Sequence, residues 1–155
     1  MRTKWDDSDP RYLAVMELLR AAETVWNASR VFFDRWDLSP SQFNVLNLLR
    51  LTPDGMSQSD LSRELITHRS NVTGLVDRLE KRGLVERKEV AGDRRAYRVV
   101  LTAAGVGVMR EILPRYYEAA ARVWENLPAQ RAAELIADLG EAARNAERLA
   151  GAQSL

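Results

Sequence analysis

The sequence predicts a mostly α-helical fold with one small β-hairpin set into it. Two observations carry that expectation. Apolar residues recur at steps of three and four through most of the 155 residues, the spacing that gathers them on one face of a helix. The period fails once, between Leu84 and Leu101, where two short runs flank Ala91-Gly92-Asp93-Arg94-Arg95, as strands flank a turn. The length fits one domain, or one domain with an oligomerisation extension.

The elements follow in order. Asp9-Pro10 is a helix start, a cap followed by proline at the first helical position. Val15, Leu18, Ala22, Val25, Ser29, Phe32 and Trp36 then form a stripe, widened by Trp26 and Phe33, which predicts a long amphipathic helix over 10–36. Ser39 and Gln42 make a capping box for a second helix. Its buried face is Phe43, Leu46 and Leu49 with Val45, and Pro53-Asp54-Gly55 ends it. Ser57, with Asp60 at the box position, starts a short third helix over 57–66. A fourth spans 68–82, with Val72, Leu75, Val76 and Leu79 inside and Gly83 as its stop. Leu84–Val90 and Ala96–Leu101 read as the strands. Thr102 caps a long fifth helix, in which Pro114 predicts a kink or irregularity. After Leu127-Pro128 an alanine-rich helix runs from Ala129 to about Ala150, with Ala132, Leu135, Leu139, Ala142, Ala146 and Leu149 in register.

Composition excludes several chemistries. There is no cysteine, so disulfides, thiolate metal sites and thiol redox switches are ruled out. The single histidine, His68, argues against a multi-histidine zinc site, and no metal or cofactor is expected. No apolar run approaches the roughly 18 residues that span a bilayer, so no membrane partner is expected. The N-terminus turns acidic where a signal peptide would be apolar, and the expected location is the cytoplasm. Charge is nearly balanced at +1, yet unevenly spread: Arg63–Arg98 carries a net +4 and the remainder −3. A basic centre with acidic flanks is either an uneven solvated surface or the footprint of a polyanion.

Three helices followed by a two-stranded ribbon make a winged helix–turn–helix. The helices at 57–66 and 68–82 are the pair whose second member enters a DNA major groove. The sequence also resembles the MarR family of transcriptional regulators. The residues that carry the resemblance are Leu38-Ser39-Pro40-Ser41-Gln42-Phe43-Asn44-Val45-Leu46, Leu61-Ser62-Arg63-Glu64-Leu65, the run from Asn71 to Arg87, Asp93-Arg94-Arg95, and Val99 to Gly105. The resemblance covers about 38–107, and the flanking helices match only in length and placement.

On the second helix of the pair, the residues around Ser70, Gly74, Asp77 and Lys81 point away from the apolar stripe, with Asn71, Thr73 and Arg78 at its flanks. Arg69, Ser70, Asn71 and Thr73, near the helix N-terminus, are candidate DNA contacts. Asn71 suits bidentate pairing with adenine, although Ser70 and Asn71 are also ordinary first-turn residues. Gly74 stands where the family usually has a longer residue, and either close approach of backbone to DNA or neutral change accounts for it. His68 is either an exposed cap residue or a phosphate ligand. The resemblance implies that Arg95 enters the minor groove, Arg94 meets phosphate and Asp93 structures the wing. Arg63, Arg78, Arg87 and Lys88 are candidate phosphate partners.

The resemblance further implies a homodimer built by the terminal helices. That divides the chain into an N-terminal dimerisation helix (1–37), a DNA-binding lobe (38–101) and C-terminal dimerisation helices (102–155). It also implies a small aromatic or phenolic effector, with Trp26, Arg30, Phe33, Trp36 and Asn44 as candidate walls; aromatics at helical spacing equally serve as plain core. The Trp5-Asp6 start is similar to the urate-responsive branch, but Asn44 stands where that branch has an acidic residue. The expected function is a ligand-responsive regulator, a repressor, that binds double-stranded DNA at a pseudo-palindromic operator. The alternative is a winged-helix module that binds protein without specific DNA binding. With no glycine-rich phosphate loop and no nucleophile–base word, an enzyme is not expected.

Overall fold

The computed structural model describes residues 7–66, 71–90 and 93–152, by backbone alone at 93–96. The elements are α1 (Pro10–Asp34), α2 (Pro40–Leu51), α3 (Gln58–Glu64), α4 (Val72–Lys81), β1 (Val85–Val90), β2 (Asp93–Leu101), α5 (Ala103–Val123) and α6 (Ala129–Ala152). They divide into two units, Met1–Glu111 and Ile112–Leu155.

Local chemistry sets the helix starts of the first unit. Asp9 accepts a hydrogen bond from the Arg11 amide at 2.8 Å, with Pro10 in the first turn. At α2 the box is reciprocal. The Gln42 amide donates to Ser39 Oγ at 3.2 Å, and the Ser39 amide donates to Gln42 Oε1 at 2.8 Å. At α3 the Asp60 amide donates to Ser57 Oγ at 3.1 Å, and that hydroxyl donates to Asp60 Oδ2 at 2.6 Å. These are the caps the sequence predicts. The third helix stops at Glu64, short of the expected 66, because Leu65 is extended. Residues 67–70 of the expected fourth helix lie outside the described residues; from Val72 to Lys81 it is helical as expected.

Packing explains why these pieces hold together. Val72, Leu75, Val76 and Leu79 of α4 are buried with Leu46 and Leu49 of α2 and Leu61 of α3 among the core side chains. Gly83 closes α4 at φ +67°. There the Gly83 amide donates to the Glu80 carbonyl and the Leu84 amide to the Leu79 carbonyl, at 2.8 and 3.0 Å, a left-handed helix stop that favours glycine.

The chain then enters the antiparallel hairpin, which runs from Val85 opposite Leu101 out to Glu89 opposite Tyr97. Here the structure corrects the expected strand limits. The register shifts so that Val90 faces Asp93. Asp93, Arg94 and Arg95 therefore belong to β2, with 94–96 as extra residues on that strand. A bulge inserts residues without disturbing the pairing on either side, so side-chain alternation alone did not reveal it. The hairpin is anchored at Val99, which exchanges both backbone hydrogen bonds with Met56 at 2.8 and 3.0 Å.

Thr102 ties the hairpin to α5. Its hydroxyl donates to the Gly83 carbonyl at 2.6 Å and accepts from the Gly105 amide at 3.0 Å. Its own amide donates to the Leu84 carbonyl at 3.1 Å.

The stripe expected on α1 is only partly covered. Phe33 is the buried residue of this helix. Val15, Leu18 and Val25 are 55, 40 and 47% exposed. An apolar stripe is buried only where an opposing surface meets it, and α2 meets α1 at Phe33, which stacks on Phe43 with centroids 4.3 Å apart.

The second unit holds the rest of α5 and α6. The helix continues through Pro114. Leu127 donates to the Trp124 carbonyl at 2.7 Å in the intervening turn. Helix α6 has no buried residue; Ala132 and Leu135 of its expected stripe are half-covered, and Ile136 is 72% exposed.

Gly105 allows α5 to start directly against the hairpin, since a Cβ there would overlap the Leu84 carbonyl oxygen. Backbone cannot yield as a side-chain tip would. Gly105→Ala is therefore expected to destabilise the fold by about 1–3 kcal/mol, the scale of overpacking, read as a lower urea midpoint at unchanged slope.

Candidate nucleic-acid interface

Helix α4 separates its side chains cleanly. Asp77 and Lys81 are exposed opposite the buried stripe, and Thr73 and Arg78 are exposed at its flanks. Asn71 occupies the cap position with φ −133° and makes no side-chain capping bond, so its carboxamide is exposed rather than spent on the helix. Gly74 has a local consequence. A Cβ there would overlap Asn71 Oδ1 and come within 3.3 Å of Arg78 Nη1. The missing side chain leaves room for two candidate contact residues to lie beside the helix surface.

His68, Arg69 and Ser70 lie outside the described residues. Asp93, Arg94 and Arg95 are placed by backbone at the far end of the hairpin, and their side chains lie outside the description. Arg63 forms an ion pair with Asp60, one turn earlier on α3, and remains 66% exposed. Lys88 pairs with Glu86 at 3.2 Å on the exposed side of β1.

Arg87 corrects an expectation. Instead of facing solvent as a phosphate partner, its guanidinium bridges Asp77, at 2.5 Å, and Glu80. Its amide also donates to Glu80 Oε1 at 3.1 Å. The side chain is only 23% exposed. The hydrogen bond to Asp77 raises its pKa most, the fields of both carboxylates add to that, and desolvation opposes it. Arg87 therefore ties α4 to β1. Asp77 and Glu80 stand three apart on one helix face, but their partner arrives only after the Gly83 turn, so no local sequence signal joins them.

The five candidate effector walls are not brought together. A surface cavity of about 320 Å³ is bordered by Arg30, Asp34, Asp37, Ser39 and Gln42 among others. Of the five, only Arg30 borders it. Phe33 is 2% exposed, inside the core. Trp26 is half-buried. Trp36 is also half-buried, and its indole N–H donates to Glu111 Oε1 at 3.0 Å. Asn44 is half-buried, and its Nδ2 is buried without a hydrogen-bond partner. Among the described residues no three acidic, histidine or cysteine groups gather as a metal site, and no helix is long and apolar enough to cross a membrane.

Helices α3 and α4 followed by a two-stranded wing define a winged helix–turn–helix protein. The signature of the MarR family matches residues 36–96. The transcriptional regulator PapX of Escherichia coli is 27% identical over 127 residues, covering 78% of this chain and 77% of its own length. The transcriptional repressor MprA of Escherichia coli K12 is 41% identical over 69 residues, 44% of this chain and 39% of MprA. Among solved structures, CouR from Rhodococcus jostii RHA1, bound to p-coumaroyl-CoA, superposes with a TM-score of 0.73 at 26% identity, covering 88% of this chain and 93% of CouR. The chain belongs to the MarR family. Its members are non-enzymatic transcriptional regulators, so this is a regulator and not an enzyme.

Two outcomes follow. Arg87→Ala leaves two carboxylates facing each other and is expected to cost about 1–2 kcal/mol, between the scales of exposed and buried pairs, seen as a lower melting temperature. Asp60 is held below the usual carboxylate range, first by the Ser57 hydroxyl and then by Arg63, against partial desolvation. A carboxyl depressed in the folded state contributes stability that is present above its unfolded value and is lost as pH falls through the folded one. Asp60→Asn should thus flatten the acid limb of a stability–pH curve while leaving its shape above pH ~5 unchanged.

Proposed function

We propose that the chain is a homodimeric, sequence-specific regulator of transcription that represses by binding a pseudo-palindromic operator in double-stranded DNA and responds to a small aromatic or phenolic effector. The observation that carries this reading is the division of α4 into a buried apolar face and an exposed polar one, directly followed by a hairpin whose far end bears Arg94 and Arg95. Thr73, Asn71 and, N-terminal to them, Arg69 and Ser70 would meet base edges and phosphates. Arg95 would reach into the minor groove, with Asp93 ordering the wing and Arg94, Arg78 and Arg63 on phosphate. Such a reader acts in the cytoplasm, with the chromosome.

The dimer reading is supported by apolar side chains exposed on both terminal regions, among them Leu13, Leu19, Trp124 and Leu149. In this arrangement 1–37 and 102–155 join two copies, and two 38–101 lobes address major grooves about 34 Å apart. MprA is a named repressor, which supports repression here. The CouR complex holds an aromatic acyl thioester, which supports an aromatic effector. Arg30, at the 320 Å³ cavity, is a polar group on which such a ligand would act.

Fluorescence anisotropy with a fragment selected from the parent genome tests the DNA reading. Wild-type protein should bind it more tightly than mixed-sequence duplex, and Arg95→Ala should weaken operator binding by more than about tenfold at moderate salt. Equal, weak binding to both duplexes would favour the protein-interaction alternative. Deleting residues 129–155 should give a monomer or an aggregate by light scattering, and a soluble truncated dimer would refute the dimer reading.

A further inference from the structure

We propose that Arg82 is a positioning residue for DNA recognition, one that fixes the tilt of α4 by strapping its C-terminus to the end of α1. The proposal rests on the DNA-binding reading above. Arg82 is the residue at which α4 ends. It falls seven positions after Leu75, at the margin of the buried stripe, and is exposed as a whole residue. Its side chain is one-third exposed.

The guanidinium is used as a fork. Nη2 donates to the Trp36 carbonyl at 2.9 Å, and Nη1 donates to the Asp37 carbonyl. Those two carbonyls belong to the turn just past α1, near the partial negative charge of the helix end; the carbonyls of Phe33 and Asp34, which the helix itself leaves open, are already met by the amides of Trp36, Leu38 and Asp37. Asp37, which supplies the second carbonyl that Arg82 meets, has left-handed backbone, φ +51°. A planar fork with two parallel donors suits consecutive carbonyls; an ammonium does not. The Asp37 carboxylate stands further off, at 3.7 Å, and is 95% exposed. It contributes little to the strap.

The strap reaches a third helix. Trp36, whose carbonyl accepts from Arg82, donates its indole N–H to Glu111 on α5. The end of α4 is thus joined through one loop to α1 and to α5. Geometry gives the strap its importance. A helix of ten residues is roughly 15 Å long at 1.5 Å per residue. Pivoting it by about 10° at its C-terminal end moves its N-terminus by roughly 2–3 Å, more than a hydrogen bond tolerates. Candidate contacts Asn71 and Thr73 lie at that N-terminal end.

The test uses the full chain, the selected operator, a mixed-sequence duplex and a salt series, with Arg82→Lys, Arg82→Ala and Asp37→Asn. Arg82→Ala and Arg82→Lys are both expected to weaken operator binding about tenfold, the scale of one lost base contact. Mixed-sequence binding and the slope of log K against log salt should stay as in wild type, and so should operator binding by Asp37→Asn. Amide exchange without DNA should accelerate at Leu38, Gly83 and Leu84 in both Arg82 variants. A slope reduced by about one, with both duplexes weakened alike, would make Arg82 a phosphate contact and overturn the proposal. So would full recovery in Arg82→Lys, an unchanged operator affinity, or a loss reproduced by Asp37→Asn. If the alanine variant does not fold, the lysine variant decides. Wild-type protein that retains neither duplex sinks the DNA reading itself, and the exchange comparison then stands alone: unchanged exchange means there is no strap.

Discussion

Helix α4 has ten residues, too few to be stable in water by its own hydrogen bonds. It exists because Val72, Leu75, Val76 and Leu79 are buried, each contributing about 1.5–3 kcal/mol when removed from water. The rest of the first unit answers to that burial. Helices α2 and α3 contribute to the core that receives the stripe. The Gly83 stop and the Thr102 hydroxyl turn the chain back so that β1 and the start of α5 lie beside it. Arg87 closes the remaining side by drawing Asp77 and Glu80 toward β1. One face is held on every flank, and the opposite face is left to polar residues.

That division also rearranges the charge. The segment 63–98 carries a net +4, but several of its charges neutralise one another within the fold. Asp77 and Glu80 are engaged by Arg87, and Glu86 by Lys88. The two acidic side chains of α4, Asp77 and Glu80, therefore share one cation of the same lobe. The exposed positive groups that remain on α4 include Arg78 and Lys81, so the field that a phosphate backbone would meet is more positive than the residue count along the helix implies.

Much of this was legible in the sequence because it is local. Ser39 with Gln42, Ser57 with Asp60, and Thr102 with Gly105 satisfy amides within three residues, and each is found as the spacing predicts. The four buried residues of α4 follow from periodicity for the same reason. What escaped depends on residues far apart in the chain. Periodicity put Phe32 and Phe33 on one broad stripe, and only contact with Phe43 selects Phe33 for the core. The register shift between Glu89 and Val90 arises from pairing across the hairpin and not from residue type, so the sequence alone does not place the limit of β2. The candidate contacts at 68–70 and at the wing tip remain sequence expectations, since those residues or their side chains lie outside the described part.

Arginine shows most clearly why residue type alone could not assign the site. Between Arg63 and Arg98 there are eight arginines and two lysines. A groove reader uses arginine for its fork of donors, but the same fork serves internal joints. Arg87 serves two carboxylates from different turns of α4, and Arg82 serves two consecutive carbonyls beyond α1. An arginine facing DNA and an arginine holding the reader in place are therefore the same in composition, charge and motif. They separate only in what lies opposite the guanidinium. A basic count taken as a count of phosphate contacts would overstate the salt dependence of binding by about one ion for each arginine committed inside the fold.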